Sequence, residues 1–72
     1  MTKQEFLVEM QDVLQTEEML TLNTILDELD EWDSLAVMSA MAFLDHAFGV
    51  KTSMIDYNDM KTIGDIAAKA GI

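Results

Sequence analysis

From Ser34 to Phe48 apolar residues occupy almost every side of one helical stretch, and no other feature of this sequence limits the fold so strongly. Val37, Met41, Leu44 and Phe48 recur at helical spacing and predict the main inward stripe. Ala36, Ala40, Phe43 and Ala47 fill a neighbouring face, which leaves Met38, Ala42 and Asp45 outward. A helix this apolar either lies deep among other elements or keeps exposed surface for a partner. Asp33 or Ser34 opens it, and Gly49 closes it by taking the left-handed conformation on which helices often stop.

The rest of the chain supplies elements to pack around that helix. Lys3 to Gln15 reads as an amphipathic helix with Phe6, Met10, Val13 and Leu14 on one face and Leu7 beside it. Thr2 and Glu5 fit a capping box at its start. Between Thr16 and Glu31 the periodicity lapses, and Met19, Leu22, Ile25, Leu26 and Leu29 are expected to pin a draped loop with a short turn near Leu26 to Leu29. Met54, Ile55 and Tyr57 suggest a helix of a turn or two. Thr62-Ile63-Gly64-Asp65 then caps a last helix carrying Ile66, Ala67 and Ala70, closed by Gly71. The expected fold is all-α: three main helices plus one short helix in a small antiparallel bundle, with residues 1–72 as a single domain.

Composition narrows function. Seventy-two residues bury only about 60% of their unfolded surface, leaving no room for a deep catalytic pocket. Fourteen acidic residues face four lysines, a net charge of −10, which argues against nucleic acid and favours basic protein partners or simply solubility. With no cysteine, any thiol chemistry must be imported. No apolar run approaches the roughly 18 to 20 residues that cross a bilayer, and the start has no apolar signal region, so membrane insertion is not expected and cytoplasmic residence is the default.

The chemistry concentrates where the apolar helix begins. Asp33-Ser34-Leu35 follows the acidic run Leu29-Asp30-Glu31-Trp32 near the middle of a short acidic chain. In this setting the whole chain resembles the acyl carrier protein family. The resemblance implies that Ser34 receives phosphopantetheine from a phosphopantetheinyl transferase, with coenzyme A as donor and magnesium on the enzyme. It implies further that acyl or aminoacyl groups ride as thioesters on the arm's thiol, loaded by an acyl- or aminoacyl-loading ligase and presented to synthase or transferase enzymes. Such a domain is a monomeric handle and not a catalyst. Physics supports the position independently, because unpaired amides and the dipole at a helix start stabilise an anion by roughly 0.3–1 kcal/mol. The same residues would also serve as ordinary helix caps.

Two departures from the family pattern shape the expectation. Glycine often precedes the motif aspartate, whereas Trp32 stands there, either packed against the loop or offered to the arm or a partner. Many fatty acid carriers have a strongly acidic helix after the serine, but here only Asp45 is acidic between Ser34 and Val50, and Asp27, Glu28, Asp30, Glu31 and Asp33 crowd before it. Partner recognition is therefore expected to combine Asp30, Glu31, Trp32 and Asp33 with Leu35, Met38, Ala42 and Asp45, in a discrete and specialised carrier. Ala36, Ala40 and Met41 offer space near the arm for a sheltered short chain.

Rival chemistries fit less well. A serine hydrolase needs a base beside its nucleophile, and the only histidine, His46, lies twelve residues along the same helix, about 18 Å away; it is expected on the surface. Calcium loops starting at Asp27 or Asp30 would put Trp32 or Leu35 at the sixth place and Met38 or Met41 at the twelfth, where glycine and an acid are required. No metal ligand set emerges. The reading from another class is an unmodified acidic helical adaptor that binds a basic or apolar partner.

Overall fold

The computed structural model describes residues 1–72. Four helices follow in order, α1 (Lys3–Leu14), α2 (Ser34–Phe48), α3 (Met54–Asn58) and α4 (Ile63–Ala70), with one 3-10 turn at Leu26–Glu28. This is the small helical bundle expected, with boundaries set by local chemistry. Thr2 Oγ1 accepts from Glu5 N at 3.1 Å while Glu5 Oε1 accepts from Thr2 N at 2.8 Å, which starts α1. Ser53 with Asp56 and Thr62 with Asp65 repeat the device at α3 and α4. The amides that Glu5, Asp56 and Asp65 receive hold all three carboxyls below their ordinary range. Gly49 at φ 67° and Gly71 at φ 90° close α2 and α4 in the left-handed region.

Every long segment contributes to one core. Phe6 and Met10 of α1, Leu26 of the turn, Leu44 of α2, and Ile63 and Ile66 of α4 are all fully buried. Burying such a side chain contributes about 1.5–3 kcal/mol. The α1–α2 contact includes an aromatic trio: Phe6 lies 6.0 Å from Phe43 and 6.1 Å from Phe48, and Phe43 meets Phe48 edge-on at 5.8 Å. Within α2, however, Ala36, Val37, Ala40 and Leu44 face the core, while Met41 and Phe48 are half-buried and Ala47 is exposed. The inward stripe is thus rotated towards the small residues, whose size lets neighbouring elements approach the helix closely.

The long connection between α1 and α2 is draped over the core, but on different anchors from those expected. Leu20, Leu26 and Leu29 are buried and Leu22 is half-buried, whereas Met19 is 90% exposed and Ile25 is 44% exposed. Leu20 takes the inward side that Met19 leaves, and Ile25 is used through its backbone. It forms an antiparallel bridge with Thr62. Around it, Leu26 N donates to Lys61 O at 2.9 Å, Ile63 N to Thr24 O at 3.0 Å and Gly64 N to Leu22 O at 2.8 Å. A Cβ on Gly64 would stand 2.7 Å from Leu22 O, so this close approach requires glycine. The strap fixes the acidic loop against the start of α4.

Candidate functional site

Asp33 and Ser34 divide two tasks at the start of α2. Asp33 is the N-cap: its extended backbone places Oδ1 to accept from Ala36 N at 2.8 Å. That leaves the Ser34 hydroxyl outside the capping scheme, exposed on the first turn of the helix. The two other serines are placed differently. Ser39 is half-buried within α2, and Ser53 is engaged with Asp56 in the cap of α3.

Beside Ser34 opens a cavity of about 510 Å³, lined by Ile25 and Asp27 of the strapped loop, Trp32, Ser34 and Val37, and by Met54, Tyr57, Asn58, Met60 and Lys61. Its size falls in the range of small-ligand clefts, roughly 300–1,000 Å³. Trp32 is half-buried against the core, and its ring lies 6.2 Å from that of Tyr57 at an interplanar angle of 50°. Trp32 thus packs against the body of the domain and lines the same cavity as the serine. Tyr57 is buried, and its hydroxyl is 3.0 Å from Thr52 Oγ1. Burial pushes the phenol pKa up, with the Asp56 charge adding to it and the Thr52 bond opposing.

The space expected at Ala36, Ala40 and Met41 is divided: Ala36 and Met41 line separate hollows of about 380 and 320 Å³, and Ala40 lines none. Ala36 and Ala40 are packed into the core, and the cavity beside Ser34 includes neither of them nor Met41. Its walls come instead from Ile25, Met54, Tyr57, Met60 and Lys61, which are distant in sequence from the motif. Met54, Ile55 and Tyr57 stood out as apolar, but nothing in the local pattern joined them to Ser34.

The residues expected to meet partners separate into distinct surfaces. Glu31, Asp33 and Leu35 line one hollow of about 380 Å³ with the end of α1. Met38, Ala42 and Asp45 line another of about 320 Å³. Leu35 and Met38 are strongly exposed, at 70% and 57%. Asp30 is exposed but lines neither hollow, and Trp32 belongs to the cavity at Ser34. Asp45, the single acid of α2, is paired with Lys51 at 3.0 Å and so offers less charge to a partner than its exposure suggests. His46 is exposed, as expected.

A phosphopantetheine arm fits these residues: the hydroxyl is exposed, no cap engages it, the helix start favours an anion, and space lies alongside. No helix is long and apolar enough to cross a membrane, and no cluster of three or more potential metal ligands is present. No curated protein and no solved structure matches the chain. The family model described as the phosphopantetheine attachment site matches residues 4–69, nearly the whole length. The chain belongs to that family of non-catalytic carrier domains, which bear phosphopantetheine covalently on a serine.

Proposed function

We propose that Ser34 is the attachment point and that this chain is an acyl carrier protein, serving fatty acid or specialised polyketide, peptide or surface-polysaccharide biosynthesis in the cytoplasm. The observation that carries the reading is the division of labour at α2. Asp33 caps the helix, and Ser34, alone among the three serines, stands exposed at a helix start beside a cavity. The arm supplies a terminal thiol, on which acyl or aminoacyl groups are held as thioesters. The protein's own residues position that arm and present surfaces to the transferase, the loading ligase and the enzymes that use the cargo.

The placement of charge supports a specialised role. Acids gather before Ser34, and the one acid within α2 is already paired, so recognition along α2 rests on Leu35, Met38 and Ala42. A partner for this face pairs an apolar contact with basic residues aimed at Glu31 and Asp33. Incubation with coenzyme A, magnesium and a promiscuous phosphopantetheinyl transferase should raise the intact mass by one phosphopantetheine. Ser34→Ala should abolish the increment, and Ser39→Ala and Ser53→Ala should keep it. A folded chain that no transferase modifies, its own included, favours the unmodified adaptor.

A further inference from the structure

The charge inside the Ser34 cavity is unusual for so acidic a chain. Of the four lysines, Lys51 is paired with Asp45 and Lys69 lies 3.9 Å from Asp56. Lys61 is in neither pair, and it is the only cationic residue lining the cavity, where Ser34 also stands. Its main chain is held on both sides: the amide donates to Asp65 Oδ2 at 2.8 Å, and the carbonyl accepts from Leu26 N across the strap. Asp65 feels the ammonium, but its carboxylate is bonded to the Lys61 and Thr62 amides and forms no ion pair with the side chain. The structure therefore fixes the backbone of Lys61 in the wall of the cavity that Ser34 also lines and leaves its ammonium outside any ion pair.

An anion placed on Ser34 would meet a difficult field. Asp27 lines the same cavity, Asp33 immediately precedes Ser34 and Glu31 stands three residues before it. The start of α2 attracts a phosphodiester, but the neighbouring carboxylates oppose it. A lysine ammonium is a compact charge on a flexible stem, suited to meeting a phosphate without fixed orientation. Trp32 and Tyr57, whose rings lie 6.2 Å apart, line the same cavity and suit the apolar part of the same arm.

We infer that Lys61 is a cofactor-positioning residue: its ammonium pairs with the phosphodiester on Ser34 and draws the proximal part of the arm against Trp32. This rests on the attachment proposed above. It assigns the cavity to the phosphate end of the arm and leaves the thiol end free to travel.

The test uses the full chain carrying the arm, with intact mass recorded before any spectrum. Conversion from the unmodified to the modified form should shift the indole N–H resonance of Trp32, the only tryptophan, together with the backbone amide of Lys61. In modified Lys61→Met the phosphorus resonance should move and the Trp32 shift should be largely lost, whereas Lys61→Arg should retain both. A phosphorus resonance identical in wild type and Lys61→Met overturns the inference while leaving attachment intact. A chain that never gains the arm overturns both.

Discussion

The two connections that wall the cavity are built differently. The one before α2 is long, yet three buried leucines hold it down and the bridge at Ile25 and Thr62 bonds it to the start of α4. The one after α2 contains the five-residue α3, whose Met54 and Ile55 are 42% and 75% exposed, and Tyr57 is its only buried side chain. The first wall is therefore fixed by packing and main-chain bonds along its length; the second shares the strap only at its Lys61–Thr62 end, and within α3 itself Tyr57 is the one buried anchor. Residues with few buried contacts open at the low end of a protein's stability range, so α3 is expected to open before the strapped loop does.

The largest effect should come from removing an anchor of the fixed wall. Leu26→Ala should cost about 2–5 kcal/mol, because Leu26 is fully buried and little around it can collapse. Ile55→Ala on the other wall should change stability by less than about 0.5 kcal/mol. Chemical denaturation of both variants checks the contrast, and equal losses would remove it.

The strap comes next. Gly64→Ala forces a methyl to within 2.7 Å of a backbone oxygen that cannot rotate away, at a cost of about 1–3 kcal/mol. Hydrogen exchange should show the amides of Leu26 and Ile63 losing protection in this variant, while those within α2 keep theirs.

A smaller effect sharpens the account of the loose wall. Tyr57→Phe keeps the ring against Trp32 and loses the bond to Thr52, costing about 0.5–1.5 kcal/mol. It also carries a pH signature. The Tyr57 pKa is raised in the folded chain, chiefly by burial, so the folded state holds its proton more firmly than the unfolded state. Stability from this group is complete below its ordinary value of 10.0 and is lost as pH rises from there through the folded value. Thermal melts of wild type above that point should fall more steeply than those of Tyr57→Phe; parallel curves would show the phenol to be no more buried than in the unfolded chain.

How far the sequence reached can be judged along the same division. The helices, their capping boxes at Thr2 and Thr62 and the glycine stops were legible, because each depends on residues within one turn of one another. So was the exposure of Ser34 at the start of α2, which follows from a capping residue immediately before it. The inner face of the long loop was less legible, since an irregular backbone has no fixed period to decide between Met19 and Leu20. The cavity was illegible: Ile25, Tyr57 and Lys61 come to line one cavity with Ser34 only through the strap and the packing of α3, neither of which leaves a local pattern. Expecting space at Ala40 failed for a related reason. Small residues on a buried helix draw neighbours closer and do not leave a void.

The central claim concerns which residue carries the arm, and peptide-level mass spectrometry of the chain isolated from the cells that make it addresses that most directly. The account predicts a phosphopantetheine increment confined to the peptide containing Trp32-Asp33-Ser34-Leu35 and fragmenting from Ser34. An increment on Ser39 or Ser53, or a chain that carries none under any growth condition, would contradict it.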